Sequence, residues 1–287
     1  MGIEGRKAGL WYDHGNGEGG DLFRLIQCVH RCSFGEAILY AKQFLEGASP
    51  AAHRSPRATV KSISPDRETA TAYALNLFGE GRPIADTPAA RFLDWRGTLE
   101  SAFEAGDEVL RFHPNAPFGK GTRCPRMLAL LRDIITDEPR AVLRTALDHD
   151  LMEAICQTSF ASFKEAGGKI ARMTLGPKTG TAIKLCAHEA VSEGLAVGEG
   201  LETVLAAMRL GQRPAWALGG TSELKSFPVL SGIEALTILV DNDANRAGQN
   251  AAVQCSARWL EAGREVFRAI PNHTGDDFND VLRWSGT

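Results

Sequence analysis

Residues 236–252 read LTILVDNDANRAGQNAA, and the fold turns on how they are read. Leu236 to Val240 is an almost unbroken apolar run, the pattern of a central strand buried on both faces of a parallel sheet rather than of a half-solvated strand that alternates. A helical segment follows after a few residues, so the stretch reads as a strand–loop–helix unit. Between strand and helix stand two aspartates one residue apart, Asp241 and Asp243. They are either a turn and a helix cap, or a pair of carboxylates aimed at a metal ion.

Around this unit the pattern from residue 191 onward is regular. GLAVGEG is a short apolar strand, LETVLAAMRLG an amphipathic helix, PAWALGG a second strand and residues 222–227 a short helix. After the Asp241 strand and its helix, EVFRAIP is a fourth strand and DDFNDVLRW a closing helix. Alternating strands and helices with short connections predict a parallel sheet covered on both faces. Ligands in such sheets bind at the carboxyl ends of the strands. The residues there are Glu199 within Gly-Glu-Gly, then Asp241, Asn242 and Asp243, then Asp276, Asp277 and Asp280. Asp243 and one of Asp276 or Asp277 suit helix capping, and Glu202 is an ordinary first-turn acid. Capping accounts for neither Glu199 nor Asp241. Several like charges at one edge are destabilising unless a cation lies between them. All-oxygen carboxylate sites select Mg²⁺ or Mn²⁺, and such sites serve phosphoryl or nucleotidyl transfer.

Upstream the periods change. Residues 1–47 read as a small strand-and-helix unit, with one helix from Asp21 to about Arg31 and a second over Phe34 to Leu45. Residues 48–66, rich in Ser, Pro and Ala, read as a linker. Residues 67–108 predict two helices, near 68–78 and near 88–97. From 108 to 185 short strands take over: EVLRFHP, AVLRTAL, KIARMTL and TAIKLC, with PRMLALLRDI open between strand and helix. Each clear strand carries a basic residue inside it, namely Arg111, Arg144, Arg172 and Lys184, and Lys178 sits in the Gly turn between the last two. These are either the solvated face of a half-open sheet or a surface that contacts phosphates. The overall class is α/β in its last third and α+β over the whole chain.

The chain has 287 residues and is 44% hydrophobic, enough for about two domains. Its formal charge of -3 divides unevenly. Residues 109–186 carry 12 Lys/Arg against 7 Asp/Glu, and residues 191–287 carry 8 against 12. A basic block beside an acidic one suits a protein that holds a polyanion next to a cation site. The six cysteines form no CxxC pair, which argues against a disulfide framework and a zinc ribbon and suits a reducing, cytoplasmic setting. No apolar run approaches the roughly 18 residues that span a bilayer, so no membrane partner is expected.

VGEGLETVLAA, GGTSELKSF, LVDNDANRAGQNAA and GDDFNDVL together resemble the Toprim domain, most closely that of primases from plasmids, phages and integrative elements. RFLDWRG, LRFHP, RTALD and LGPKTGTAIKL are similar to the region that precedes Toprim in those proteins. WYDHGNGEGGDLFRLI with FGEAILYAKQFL resembles the end of the primase zinc-binding module. The resemblance divides the chain into a zinc-finger-like remnant (1–47), a linker (48–66), a primase-type subdomain (67–190) and a Toprim domain (191–287). It implies Glu199 as the catalytic acid/base and a member of the metal site with the catalytic metal ligands Asp241 and Asp243, and Asp277 and Asp280 as auxiliary metal-site acids. Arg111, Arg144, Arg172, Lys178, Lys184 and Lys225 would contact nucleic acid or nucleotide. The cofactor implied is Mg²⁺ or Mn²⁺. No zinc is expected, because the module's ligand cysteines are absent; the chain begins where that module would be half complete, as a fragment or a reduced variant would. The usual Asp-Gly-Asp is Asp241-Asn242-Asp243 here, with both carboxylates kept.

The function implied is a DNA primase, a nucleotidyltransferase that makes primers from nucleoside triphosphates on single-stranded DNA for a mobile element. No GxxxxGK[ST] loop is present, so a replicative helicase would be a separate partner. Two other readings stand beside it. One is a Toprim-type DNA-cleaving enzyme; a topoisomerase needs a nucleophilic tyrosine, and Tyr12, Tyr40 and Tyr73 all lie far upstream. The other is a non-catalytic DNA-binding accessory protein.

Overall fold

The computed structural model describes residues 11–13, 18–20, 22–30, 37, 40–41, 65–119 and 121–285. Of the expected linker over 48–66, residues 48–64 lie outside the described residues, as does most of the second N-terminal helix, while Pro65 and Asp66 belong to a helix. The chain divides into two compact units, residues 1–66 and 67–287. In the first, β1 (Trp11–Asp13) and β2 (Glu18–Gly20) pair antiparallel, and α1 (Leu22–His30) follows. Cys28 is half-buried on α1.

The second unit is built on one nine-stranded sheet. Three helices come first: α2 (Pro65–Glu80), α3 (Pro88–Trp95) and α4 (Leu99–Ala105). Helix α3 starts where Pro88 supplies a preset φ and Thr87 Oγ1 accepts from Ala89 N–H. The strands β3 (Leu110–Pro117), β4 (Arg123–Asp133) and β5 (Pro139–Ala146) form an antiparallel meander. The stretch that the sequence left open between strand and helix is therefore a strand, and its central residues Arg126–Leu131 are buried. Two helices that periodicity does not reveal come next, α5 (His149–Gln157) and α6 (Phe160–Glu165). They are capped by Asp148 on Leu151 N–H and by Ser159 on Ser162 N–H. β6 (Arg172–Leu175) returns to pair with β5, and β7 (Thr181–Lys184) follows.

The last third alternates as expected: β8 (Gly194–Gly198), α7 (Leu201–Arg209), β9 (Ala215–Ala217), α8 (Thr221–Ser226), β10 (Ala235–Leu239), α9 (Ala247–Glu261), β11 (Glu265–Ala269) and α10 (Phe278–Ser285). The strands β11, β10, β8 and β9 are mutually parallel in that order. Local patterning does not show that this parallel set and the antiparallel meander are one sheet. β7 joins them, pairing antiparallel with β4 through Ala182 and Thr181 and with β9 through Ile183 and Lys184.

Three buried clusters pack against the two faces of the sheet. On one face α7 buries Leu201, Val204, Leu205 and Met208 with residues of α3 and α4. On the other, α8 and α9 bury Leu224, Cys255 and Trp259 against Leu236, Ile238 and Val240, and the Phe227 and Trp259 rings stack parallel at 5.9 Å. Gly198 is required at the end of β8, where a β-carbon would stand 2.8 Å from Val204 Cγ2.

Candidate active site

The carboxyl ends of β8 and β10 deliver Glu199 and Asp241 to a cleft of about 430 Å³. The cleft is bounded by Glu199, Glu202, Asp241 and Asp277 on the acidic side. Arg96, Lys164, Arg172 and Lys178, with Phe160 and Phe163, form the other wall. The parallel half of the sheet thus supplies anions, and α3, α6, β6 and the turn before β7 supply the cations.

Each acid is held by a threonine that follows a neighbouring strand. Thr221 Oγ1, at the start of α8, donates to Glu199 Oε2 at 2.8 Å. Glu199 Oε1 lies against the first turn of α9, where a β-carbon on Gly248 would come within 2.6 Å of it. A helix N-terminus favours negative charge there. Thr203, one turn into α7, donates to Asp241 Oδ1 at 3.3 Å. Asn242 orders the loop beside them: its N–H donates to Asp276 O, its carbonyl accepts from Gly275 N–H, and its Nδ2 donates to Pro271 O. That lacing brings the loop before α10 to Asp241.

The acids repel one another. Burial first, then the charges of Asp277, Glu199 and Asp243, push the Asp241 carboxyl up to about 7. Burial and the charge of Asp243 likewise raise Glu199, against the Thr221 hydrogen bond. Among the described residues no three His, Cys, Asp or Glu side chains converge closely enough to enclose an ion.

The remaining expected residues divide. Asp277 faces the cleft and also caps α10, with Oδ1 accepting from Asn279 and Asp280 N–H. Asp280 does not join the group expected to hold metal. It is buried, salt-bridged to Lys164 at 2.6 Å and to Arg283, and its Oδ2 accepts from Asp277 N–H. Its oxygens are committed to cations of the protein. Arg172 and Lys178 line the cleft. Arg111 instead packs over the Phe78 ring and donates to Asp107 O. Arg144 lies on the face of β5 opposite to its cleft-lining neighbour Leu143. Lys184 is buried, 2.7 Å from Asp137 and above the Trp216 ring, and is no phosphate contact. Lys225 is exposed on α8 outside the cleft lining.

Glu202 was expected as an ordinary first-turn acid; the structure buries it. Burial alone would raise its carboxyl, but Arg172 at 2.7 Å and the nearby Arg96 hold it below the ordinary range. Arg96, at the end of α3, stacks 3.6 Å over the Phe160 ring and lies 3.9 Å from Asp277 Oδ2. The Asn279 carboxamide, turned to satisfy its hydrogen bonds, accepts from the same guanidinium at 2.8 Å. Sequence reasoning singled out neither Arg96 nor Lys164. The clue for Arg96 lay in its place after an apolar helix face; none marked Lys164, whose helix was itself unread.

Residues 194–287 match the Toprim domain family, and residues 68–185 match a domain family of unknown function. No curated protein sequence matches the chain. Two solved structures share the fold. One is the Aquifex aeolicus primase (zinc-binding and RNA polymerase domains), with a TM-score of 0.51, 17% identity, and 97% of this chain and 70% of that one covered. The other is a DnaG primase catalytic domain bound to single-stranded DNA, with a TM-score of 0.50, 16% identity, and 77% and 78% covered.

Proposed function

Because residues 194–287 are a Toprim domain set on a sheet with the fold of a primase catalytic core, we propose that the chain is a metal-dependent nucleotidyltransferase that joins ribonucleotides into primers on single-stranded DNA. The observation that carries this reading is the cleft itself. Acids from β8 and β10 face cations from α3, α6, β6 and the 176–180 turn across one opening. Acids of this kind hold divalent cations, and the opposite wall suits the phosphates of a nucleoside triphosphate and of a growing strand.

In this reading Asp241 and Asp243 hold Mg²⁺ or Mn²⁺ with Glu199 beside them, and the bound cation would polarise phosphate and neutralise the charge that develops at the reacting oxygens. Glu199, its carboxyl raised by burial, stands at the strand end as the group to take the proton of an attacking hydroxyl. Lys178, 3.1 Å from Glu223, and Arg172 offer charge to the phosphates. Phe160 and Phe163 give the cleft an apolar side that excludes water. Service to a mobile element and a helicase partner belong to the same proposal, on the primase resemblance. No tyrosine lines the cleft, so a tyrosine-linked cleavage mechanism has no support from its lining.

The deciding experiment is de novo synthesis on a single-stranded DNA template with Mg²⁺ or Mn²⁺. Wild type makes short products and folded Asp241→Asn makes none. Equal synthesis by both removes the metal-site assignment. Metal-dependent nicking without synthesis replaces the reading with a nuclease, and salt-sensitive DNA binding with neither activity replaces it with an accessory binding protein.

A further inference from the structure

The segment that leads from β9 into α8, Gly219-Gly220-Thr221-Ser222-Glu223, touches both walls of the cleft. It first extends the β8–β9 ladder: Leu218 N–H donates to Gly198 O and Gly219 N–H to Glu199 O, each at 2.8 Å. The Glu199 backbone is thus fixed before its side chain is reached. Thr221 Oγ1 then donates to Glu199 Oε2, also at 2.8 Å. Among the described residues no other group donates a hydrogen bond to that carboxylate.

The same five residues hold a cation from the opposite wall. Lys178 Nζ stands 3.1 Å from Glu223 Oε2, which also accepts from Ser222 Oγ at 2.8 Å. The Glu223 side chain is 11% exposed, and among the described residues it is the only ion-pair partner of Lys178. The ammonium fits there because the turn beneath it carries no side chain. A β-carbon on Gly219 would stand 3.2 Å from Lys178 Cε, and one on Gly220 would stand 3.1 Å from Nζ. Gly219 also has a φ of 84°, which side chains rarely adopt.

A glutamate carboxylate turns easily about its last torsion, and a partly exposed lysine samples many rotamers. Both serve transfer only when aimed. In the reaction proposed for the cleft, the 3′-hydroxyl oxygen of the growing strand bonds to the α-phosphorus of a nucleoside triphosphate. Pyrophosphate leaves, and the hydroxyl proton passes to Glu199. Misplacing a reacting group by about 1 Å costs about a hundredfold in rate. Thr221 and Glu223 touch neither hydroxyl nor phosphate in this reaction; they hold the groups that do.

We propose that Thr221 and Glu223 are positioning residues for nucleotidyl transfer: Thr221 aims the Glu199 carboxylate and Glu223 aims the Lys178 ammonium. One short segment thereby sets the proton acceptor and a phosphate-binding cation together. The proposal deepens the reading of the cleft as a primer-synthesis site and rests on it.

The test compares wild type with Thr221→Val, Thr221→Ser and Glu223→Gln in primer synthesis, in melting temperature and in crystal structures of the metal-free proteins. Thr221→Val keeps the branched shape and loses the hydroxyl, so kcat falls about tenfold or more while KM for the nucleoside triphosphate changes less than about twofold. Thr221→Ser keeps the donor and restores kcat to within about threefold of wild type. Glu223→Gln raises KM about threefold or more and acts less on kcat. Melting temperatures near that of wild type separate these effects from unfolding. In the crystals the Glu199 carboxylate turns in Thr221→Val and keeps its place in Thr221→Ser, and Lys178 leaves its place in Glu223→Gln. Folded Thr221→Val with wild-type kcat overturns the role of Thr221, and so does an equal loss in Thr221→Val and Thr221→Ser. Folded Glu223→Gln with wild-type KM overturns the role of Glu223. If wild type makes no primers, the primase reading fails by itself, and the crystals decide the positioning: an unmoved Glu199 and an unmoved Lys178 overturn it.

Discussion

Glu199 and Gly248 meet at a point where no side chain fits: Glu199 Oε1 lies 2.6 Å from where a β-carbon on residue 248 would stand. The glycine is buried in the first turn of α9, and the carboxylate it admits comes from a different strand. Gly248→Ala is therefore expected to displace Glu199 while α9 persists, since alanine is the better helix former. Primer synthesis should fall by at least tenfold with little change in melting temperature. Full activity would show that Glu199 does not work from this position.

Asp241 titrates at about 7 instead of the ordinary 3.8. The folded chain holds that proton more tightly than the unfolded chain does. Its contribution to stability is complete below about pH 4 and is lost as the pH rises through about 7. In the metal-free protein, Asp241→Asn should therefore raise the melting temperature at pH 8 and change it little at pH 4. A divalent cation competes with the same proton, so apparent Mn²⁺ affinity should fall about tenfold per unit of pH below about 7. Calorimetric titration at pH 6, 7 and 8 reads this directly, and a pH-independent affinity would count against it.

Glu202 is 3% exposed and neutralises Arg172 beside the buried Arg96. Removing one partner of a buried charge pair costs about 3–5 kcal/mol. Glu202→Gln should thus lower the melting temperature by about 10 °C, whereas Glu223→Gln, which leaves only Lys178, itself a third exposed, and no buried second cation, should cost less. Comparable melts for the two would show that the Arg96–Glu202 network carries no particular weight.

Trp259 is fully buried, stacked on Phe227 beneath β10. Trp259→Ala should destabilise the fold by about 3–5 kcal/mol, measured by denaturant unfolding. A loss under about 1 kcal/mol would mean that the α9 layer repacks.

The parallel half was legible because its signals are local: apolar runs one strand long, glycine stops and helical periods, with acids at the strand ends. Glu199, Asp241 and Asp277 came from that logic. What escaped depends on distant partners. The four-residue β7 carries nothing in its own letters to say that it pairs with both β4 and β9. Lys184 looks like any strand lysine; its burial follows from Asp137, whose left-handed backbone at φ 62° turns a carboxylate back beneath it. The six-residue α6 is too short to show a period, and with it went Lys164 and the salt bridge that takes Asp280 out of the acid group.

β7 gives the cleft a fixed gauge. Its acidic wall hangs from the parallel strands and much of its basic wall from the antiparallel ones, and a continuous hydrogen-bonded ladder runs between the two. The spacing of the walls is set through β7, by two residue pairs to β4 and two to β9. A mutation that frays β7, many ångströms from any reacting atom, would leave every side chain of the site intact and still mistune the distance across which phosphate and carboxylate must meet.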